Sequence, residues 1–360
     1  MDKNLILFCN ALSISNKAAI NIIEYFSDYK DLINNIDQVK EIKGLDKRIC
    51  ERILKNKAFD LKDYLEKVKS MGIKMTFIEE EDYPTNLNYI EDPPLMLYYL
   101  GTLQKDDMYG ISMVGSRKCT SYGAWACKEI ARDLSRNGIP IISGLAYGID
   151  KIAHETSLQN NNRTIGVIGN GIDVIYPKTH KELYERVSRN GAVVSEYPLG
   201  TTPKNYNFPY RNRIISGIGQ GVVVVEAMRK SGTLITANYA LDQGKDVFAI
   251  PGNINSFYSL GTNALIREGA KIVTEVDDIL EDIHCPNEIE NKEIIIQLED
   301  PTENDIINIL LKNPCTSDII SDQLGIAVED INATLTKLEM KGYVSEEMGG
   351  IFYPIVRKEW

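Results

Sequence analysis

The sequence predicts an α/β fold, with a doubly wound, mostly parallel sheet between a helical N-terminal domain and a C-terminal winged-helix-like domain. Two observations carry this prediction. Between residues 107 and 275, short β-rich runs alternate with helical segments, and several runs are apolar on both faces, as buried parallel strands are. After residue 300, three helical patterns are followed by a hairpin pattern. A chain of 360 residues is long enough for two or three such domains.

Residues 1–75 predict a helical domain. Stretches such as NKAAINIIEYF and ICERILKNKAFDLKDYLEKVKS place apolar residues with a helical period. Within them VKEIKGLDKRICERIL, with a turn at Gly44, resembles a SAM or helix-hairpin-helix module, which can hold a phosphate at a helix N-terminus. Asp46 stands where a second glycine is usual, and its charge opposes a phosphate. We therefore expect a packing module here, with a DNA clamp as the alternative.

Residues 76–105 are expected to form a connector. Prolines at positions 84, 93 and 94 exclude a regular helix from YPTNLNYIEDPPLMLYYLG, and an extended segment follows them. The connector leads into the sheet domain, which we place at residues 106–284.

The sheet domain contains seven β-rich runs separated by helical segments. The runs are YGISMV, IPIIS, RTIGVIG, AVVSE, GVVVVEA, DVFAIPG and AKIV. This alternation is typical of parallel strands joined by right-handed crossovers. In such an open sheet, ligands bind beyond the carboxyl ends of the strands, near the point where the strand order reverses.

Residues 285–300 are polar and acidic and are expected to form a linker, followed by a winged-helix-like domain at 301–360. TENDIINILLKN, SDIISDQLG and VEDINATLTKLEMKGYV predict three helices, and VSEEMGGIFYPI predicts a hairpin turning at Gly349 and Gly350. The third helix would be the DNA reader of such a domain. Here it lacks arginine and lies in a strongly acidic segment, so protein contact or packing is favoured over DNA reading.

Charge is distributed unevenly along the chain, whose formal net charge is −11. Residues 1–100 carry a net −3, residues 101–275 a net +5, and residues 276–360 a net −13. A polyanionic partner is therefore possible for the middle domain, although +5 alone is a common surface balance. The N-terminus lacks the features of a signal peptide, no run is long enough to span a bilayer, and the six cysteines form no CxxC pair. These features favour a cytoplasmic protein with reduced thiols and no metal site.

Glycine-rich turns with cations follow the predicted strands. Glycine lets the backbone approach an anion, and the next helix N-terminus supplies N–H donors. GSRK places Gly115, Ser116 and Arg117 after the first strand, and RKSGT places Lys230, Ser231, Gly232 and Thr233 at a helix start. The turns match neither G-x-G-x-x-G nor GxxxxGK[ST], so neither a dinucleotide cofactor nor an ordinary P-loop ATPase is indicated, although a nucleotide-binding pocket stays open. For any single turn, tight strand–helix packing is an equally good explanation.

The stretch FPYRNRIISG gathers aromatic and cationic residues at another helix entrance. Phe208, Arg211, Asn212 and Arg213 lie in it, with Lys204 shortly before and Lys178 after an earlier strand. Aromatic faces can stack unpaired bases while cations track phosphates. Phe208 has an equally plausible role as a core contact that closes the helix start.

No catalytic constellation is indicated by the spacing of the ionisable residues. We expect His154 to pack within a helix and His180 to lie at the surface. Glu196 and Glu226 end strands, and each is a candidate for a buried pair with an arginine. Ser143 and Ser231 lie outside any G-x-S-x-G elbow.

Taken together, the ordered motifs resemble the DNA-processing protein A family (DprA, also called Smf). The motifs are GSRKCTSYG, SGLAYGIDKIAHETSL, GNGIDVIYPK, SEYPLGTTPKNYNFPYRNRIISG, SGTLITANYALDQGKDVFAIPGN and GTNALIREGA. The close resemblance covers roughly residues 80–275, and the helical and winged-helix-like ends fit the variable flanks of that family.

The resemblance implies an extended Rossmann-like domain that binds single-stranded DNA, forms a homodimer and loads the RecA recombinase, in natural transformation or related recombination. It implies no enzymatic activity, cofactor or metal. The implied DNA-binding residues are Gly115, Ser116, Arg117, Lys178, Lys204, Phe208, Arg211, Asn212, Arg213, Lys230, Ser231, Gly232 and Thr233. Asn212 and Arg213 have an alternative role, holding the loop by buried hydrogen bonds. Ala240 and Ile266 mark the dimer face that the resemblance implies.

Two other functions stay open at this point. The core is distantly similar to the LOG-type phosphoribohydrolases, whose signature is PGGxGTxxE. In this chain Ile235 and Thr236 stand where the glutamates would be, and the leading Pro-Gly-Gly is missing, so no carboxylate is placed to support glycosidic cleavage. The second alternative is an adaptor that binds proteins through an empty nucleotide fold.

Overall fold

The computed structural model describes residues 1–283, 300–312, 315–341, 343–347 and 350–354. The chain divides into two compact units, Met1–Glu288 and Ile289–Trp360. Each unit is described by itself below. Among the described residues, we find no helix with the length and apolar character needed to cross a membrane.

The first unit opens with five helices that pack into a small apolar core. They are α1 (Lys3–Ala11), α2 (Asn16–Tyr25), α3 (Tyr29–Asn34), α4 (Lys47–Lys55) and α5 (Leu61–Ser70). Four of them begin at an aspartate, and each of these carboxylates accepts a hydrogen bond from a backbone N–H two or three residues later. Asp46 is the cap of α4. Its carboxylate occupies the helix N-terminus that a phosphate would need, which agrees with a packing role for this module.

A nine-stranded sheet forms the centre of the first unit. Its strands are β1 (Lys74–Phe77), β2 (Met96–Gly101), β3 (Ile111–Val114), β4 (Ile141–Ser143), β5 (Thr164–Ile168), β6 (Ala192–Ser195), β7 (Gly221–Val224), β8 (Asp246–Ala249) and β9 (Lys271–Ile272). The spatial order is β1-β2-β6-β5-β4-β3-β7-β8-β9. Strands β3 to β9 are parallel, which confirms the predicted fold class, and β1 and β2 are antiparallel additions.

Helices cover both faces of this sheet. They are α6 (Ser121–Arg136), α7 (Ile149–Gln159), α8 (Lys181–Asn190), α9 (Asn207–Ile218), α10 (Gly232–Asp242), α11 (Leu260–Arg267) and α12 (Asp277–Leu280). Strand β7 shows why the sequence reads as apolar throughout. Val222 and Val224 join the core that contains α9 and α10, while Val223 joins the core that contains α6 and α7.

The strand order reverses between β3 and β7. From β3 the chain adds β4, β5 and β6 on one side, and from β7 it adds β8 and β9 on the other. The connections therefore leave these two neighbouring strands in opposite directions, which opens a crevice beyond their carboxyl ends.

The segment 76–105, expected to be a connector followed by an extended stretch, joins the central sheet. The segment supplies β2, whose first four residues are buried and which pairs with β6 in antiparallel register, Tyr98 opposite Ser195. The prolines lie before this strand and do not interrupt it. The sequence missed the pairing because MLYYLG has neither the alternation of a half-exposed strand nor a turn that links it to a neighbour.

The second unit is a winged helix. It contains α13 (Pro301–Lys312), β10 (Cys315–Thr316), α14 (Ser317–Leu324), α15 (Val328–Met340), β11 (Val344–Glu347) and β12 (Ile351–Pro354). β11 and β12 pair as the predicted hairpin, and β10 adds to β12. Gly349 and the expected linker, apart from Asp300, lie outside the described residues.

Candidate nucleic-acid interface

The crevice at the carboxyl ends of β3 and β7 is a pocket of about 580 Å³. Its walls come from the turns after β3, β4, β7 and β8 and from the first two turns of α9. The lining residues include Gly115, Ser116, Arg117, Lys118, Ala146, Asp150, Asn205, Phe208, Arg211, Asn212, Met228, Lys230, Ser231, Gly232, Thr233 and Tyr258. Ten of the thirteen DNA-binding residues that we expected from the sequence therefore line one pocket.

The turn after β3 is held tightly against α7. A Cβ atom on Gly115 would lie 2.5 Å from Cγ1 of Ile149, so this position accepts only glycine without movement. The carbonyl oxygen of Ser116 accepts a hydrogen bond from the N–H of Ile149 at 3.2 Å. The Ser116 hydroxyl accepts one from the N–H of Lys118, also at 3.2 Å. These contacts fix the backbone from which Arg117 projects.

Arg117 lies at the surface against an aromatic platform. Its Cζ atom is 5.5 Å from the centroid of the Phe208 ring. The Phe208 ring is in turn 5.7 Å from the ring of Tyr176, at an interplanar angle of 32°. Phe208 is half-buried and belongs to none of the apolar core clusters of the described chain. A guanidinium beside an accessible ring pair can pair with a phosphate while a base stacks on the ring.

The start of α10 forms the opposite wall. Ser231 caps this helix, and its hydroxyl accepts a hydrogen bond from the N–H of Thr233 at 3.2 Å. Around Gly232, apart from its chain neighbours and the backbone of its own helix, no atom lies within 4 Å of the position where a Cβ would be, so the backbone there is open to a ligand. Lys230 is exposed beside this helix end. An exposed helix N-terminus next to a lysine is suited to bind an anion.

Arg211 lies at the bottom of the pocket, and its guanidinium is hydrogen-bonded within the protein. Its guanidinium donates hydrogen bonds to the carbonyl oxygens of Gly144, at 3.0 Å, and Val167. Asp150 lies beside it and accepts hydrogen bonds from the N–H groups of Gly144 and Ala146. Burial raises the pKa of Asp150, and the charge of Arg211 opposes that rise. Burial also lowers the pKa of Arg211. The pair therefore supports the crevice from beneath.

Arg213 lies outside the pocket, which corrects the expectation that it belongs to the strand-binding set. Two residues along a helix turn the side chain by about 200°, so Arg211 and Arg213 leave α9 on opposite faces. Arg213 donates to a carboxylate oxygen of Glu196 at 2.6 Å and to the carbonyl oxygen of Asp92 at 3.0 Å. Its Cζ atom is 4.0 Å from the Tyr210 ring centroid. The alternative role, buried hydrogen bonding, is the one that the structure supports.

The structure places Asn212 in the crevice and leaves Lys178 and Lys204 outside it. Asn212 lines the pocket, and its side-chain oxygen accepts a hydrogen bond from Nε of Arg211 at 3.3 Å. Lys178 and Lys204 are exposed but do not line the crevice. The Nζ atom of Lys204 is 5.7 Å from the ring centroid of Tyr206, at the rim of a neighbouring pocket.

The histidines and glutamates considered for catalysis are buried and have polar partners within the protein. His154 is fully buried, and its Nδ1 lies 2.7 Å from the Thr164 hydroxyl. Burial lowers the pKa of His154 to about 3. His180 is also buried, with Nδ1 3.0 Å from the carbonyl oxygen of Leu145, so the expectation of a surface histidine is wrong. Glu196 forms the expected arginine pair, whereas Glu226 accepts hydrogen bonds from Thr120 at the start of α6.

Ala240 has no accessible surface and lies in the core between the sheet and α9. A side chain without accessible surface cannot touch a second copy, so this part of the expected dimer face is corrected. Ile266 is partly exposed at the edge of the same core and stays a candidate. Among the described residues, no group of His, Cys, Asp and Glu side chains is arranged to hold a metal ion.

Ten of the twenty lining residues were not among those expected from the sequence, including Lys118, Asn205, Met228 and Tyr258. Each of these four follows a strand of the sheet. Counting every residue of a strand-end turn, instead of its glycines and arginines alone, would have included them.

Comparison with known proteins places these features in a family. Residues 74–284 match the family model described as DNA recombination-mediator protein A, and residues 296–350 match the model described as DprA winged helix domain. The DNA processing protein DprA of Streptococcus pneumoniae is 45% identical over 203 residues, which are 56% of this chain and 72% of that protein. Protein Smf of Escherichia coli is 36% identical over 285 residues, 76% of this chain and 75% of that protein.

Solved structures agree with these matches. The X-ray structure of DNA processing protein A from Streptococcus pneumoniae has a TM-score of 0.68 and 36% identity, and covers 79% of this chain and 99% of that one. A second structure is of DNA processing protein A from Helicobacter pylori, and its description concerns the single-stranded DNA binding mode of that protein. It has a TM-score of 0.53 and 30% identity. It covers 59% of this chain and 98% of that one.

Proposed function

Since the chain belongs to the DNA recombination-mediator protein A family, we propose that it binds single-stranded DNA in the crevice between β3 and β7 and delivers that strand to the RecA recombinase. A role as a DNA-processing recombination mediator follows from family membership. The identity of the DNA, the residues that hold it and the delivery step are the parts that we propose.

The contact of Arg117 with the half-buried ring of Phe208 is the observation that carries the proposal. Arg117, Lys118 and Lys230 line the crevice and are exposed. Among the described residues, none of them has a carboxylate within 4 Å. These three side chains are therefore not held in ion pairs, and a polyanion that enters the crevice and meets them releases its own counterions.

The aromatic pair favours a single strand over a duplex. The rings of Phe208 and Tyr176 can stack only with a base whose face is free, and in a duplex both faces of each interior base are covered. Stacking on a ring is tolerant of base identity, and the cations meet phosphates that every nucleotide has. We therefore expect weak dependence on sequence and strong dependence on salt.

The same pocket gives little support to the phosphoribohydrolase alternative. Asp150 is the one carboxylate that lines it among the described residues, and it is engaged by two backbone N–H groups beside Arg211. A general acid or base must reach the scissile bond with a proton to exchange. Slow release of a free base from a nucleoside monophosphate by the purified chain would revive this alternative.

The first test compares wild type with Arg117→Ala by fluorescence anisotropy, using a labelled oligothymidylate and a matched duplex. Arg189, an exposed arginine of α8 outside the crevice, provides the matched control variant. We expect Arg117→Ala to weaken single-strand binding about tenfold, because a charge-assisted contact to a phosphate is lost. Arg189→Ala should bind as wild type does. Equal binding by both variants, or a preference for the duplex, would contradict the proposal.

Delivery to RecA is tested after DNA binding is established. We propose that the protein works as a homodimer in the cytoplasm and speeds assembly of RecA on the strand. The measurement is the DNA-dependent ATPase of RecA on a long single strand, with wild type, Arg117→Ala or neither added. Stimulation by wild type that Arg117→Ala lacks would support delivery. Stimulation that is equal with both would mean that RecA is reached without the crevice.

A further inference from the structure

We propose that the single strand continues from the crevice into a second pocket, which takes one of its unpaired bases. This inference rests on the proposed function and extends its site toward the N-terminal helices. The second pocket has a volume of about 320 Å³ and lies within the first compact unit. Its walls are the segment from Asn10 to Asn16, the segment from Glu196 to Thr201, and the start of α9 with the residues just before it.

The start of α9 separates the two pockets. Asn205 and Phe208 line the first pocket, whereas Tyr206 and Asn207 line the second. A strand that leaves the Phe208 ring therefore needs to cross only this short segment to reach the second pocket.

Lys204 and Tyr206 mark the entrance of the second pocket. The Tyr206 side chain is 68% exposed, which is unusual for an aromatic residue with a purely structural role. The Nζ atom of Lys204 lies 5.7 Å from the centroid of its ring. This pair repeats the arrangement of Arg117 and Phe208 in the crevice. Each pair offers a cation for a phosphate and a ring for a base.

The interior of the second pocket suits a base and opposes a phosphate. Glu196 lines it and is buried, with one carboxylate oxygen held by Arg213 and Asn16 and the other, Oε2, without a hydrogen-bond partner among the described residues. A carboxylate has no hydrogen to donate to a phosphate. A base carries no charge and presents N–H groups that a carboxylate or amide oxygen can accept.

Polar groups from the N-terminal helices complete the wall. The side-chain nitrogen of Asn16 donates to Glu196 at 2.9 Å and to the carbonyl oxygen of Pro93 at 3.1 Å. These bonds orient the amide and leave its oxygen as an acceptor. The hydroxyls of Ser13 and Ser15 are exposed at the same wall. This wall lies outside residues 74–284, the part of the chain that the family model matches.

Ser15 allows the pocket to be filled without disturbing the fold. It stands at the N-cap of α2, yet its side chain makes no capping hydrogen bond, and it is exposed. Ser15→Trp should therefore block the pocket, and Ser15→Ala is the matched control. Tyr206→Ala removes the ring at the entrance, and Tyr206→Phe keeps it.

The experiment measures the affinity of each variant for an oligothymidylate in which one nucleotide at a time is made abasic. For wild type and Ser15→Ala, we expect one abasic position beyond the nucleotide on Phe208 to weaken binding about fivefold to tenfold. Ser15→Trp and Tyr206→Ala should bind the intact strand with that lower affinity and show no further loss at that position. Tyr206→Phe should behave as wild type.

The outcomes separate this inference from the proposed function. Arg117→Ala should lower affinity for every oligonucleotide, abasic ones included, because phosphate contacts do not need a base. If Ser15→Trp binds like wild type with the same abasic profile, the second pocket takes no base and the inference fails. If wild type binds no single strand at all, or Arg117→Ala is without effect, the proposed function fails instead.

Discussion

At the scale of single residues, three arginines in and near the crevice have different structural roles. Arg211 supports the crevice from below, Arg213 pairs with Glu196 behind the helix, and Arg117 alone of the three arginines reaches solvent. The sequence places all three in family motifs and cannot distinguish them. For Arg213 the distinction depends on Glu196, at a strand end shortly before α9, and on Asp92, in a loop far from α9 in the sequence.

Arg211→Met should destabilise the protein by about 3–5 kcal/mol, because it leaves Asp150 buried without its cation. Arg117→Met should change the free energy of unfolding by less than about 0.5 kcal/mol, since its side chain is exposed. Urea unfolding followed by circular dichroism measures both. A stable Arg211→Met protein that fails to bind DNA would show that Arg211 reaches the ligand after all.

At the scale of elements, the position of the Arg117 turn depends on the start of α7. Gly148 has a φ of +73°, and a Cβ atom there would lie 2.2 Å from the carbonyl oxygen of Ser116. The N–H of the next residue, Ile149, bonds that same oxygen. The helix and the turn are therefore assembled as one piece, and neither can shift alone.

Gly148→Ala is expected to lower stability by more than the roughly 1–2 kcal/mol of a left-handed backbone, because the turn after β3 must also move. Gly244→Ala is the matched control, with a φ of +67° and no atom within 4 Å of the new Cβ. It should cost only the backbone strain. Thermal unfolding and oligothymidylate binding of both variants provide the test, and equal losses would exclude the steric contact as the cause.

Helix α13 and helix α15 of the winged helix are joined by Glu303. Its buried carboxylate is 2.7 Å from Nζ of Lys341 and 3.0 Å from Nζ of Lys337. The hydrogen bond from Lys341 is the main cause that lowers the pKa of Glu303. Since the pKa is lower in the folded state, the pair contributes stability above the ordinary carboxyl pKa of about 4.3, and the contribution is lost as the pH falls below it.

Glu303→Gln should therefore destabilise this unit at pH 7 and have a smaller effect near pH 4. Thermal unfolding of the full chain at several pH values, with wild type alongside, measures the difference.

Lys337→Ala should have a small effect on stability, because Lys341 still reaches Glu303, and no effect on DNA binding. A strong loss of DNA binding in Lys337→Ala would assign the third helix a role as DNA reader.

Elements differ in how far the sequence predicts them. GVVVV and the runs like it predict buried parallel strands, because both faces of each strand are covered and every residue is apolar. The pairing of β2 escaped prediction because its partner β6 follows it by some ninety residues, and only the folded chain brings them together. The burial of His180 escaped for the same reason, because its partner Leu145 follows a different strand.

At the scale of the whole molecule, an acidic chain can bind a polyanion because its charge is segregated. The stretch 101–275 carries a net +5 and contributes every lining residue of the crevice, whereas 276–360 carries a net −13. The formal net charge of −11 therefore says little about the crevice itself. The local excess of cations determines binding there.

The dependence of affinity on salt should report the number of phosphates held. For single strands, each neutralised phosphate contributes about 0.7 to the slope of log affinity against log salt. Arg117→Ala should reduce the slope of wild type by about that amount, and Arg189→Ala should leave it unchanged. A slope that does not change in Arg117→Ala would show that the arginine holds no phosphate.

The two faces of α9 have a consequence for genetics. One face borders the crevice, and the other is fixed by Arg213, Glu196 and Asp92 beside the second pocket, so most lesions in this helix would impair folding and binding together. A random screen for inactive alleles would recover many of them and could not assign their cause. Alleles that impair DNA binding without impairing folding should instead be found at Arg117, Lys230 and Tyr206, whose side chains are exposed.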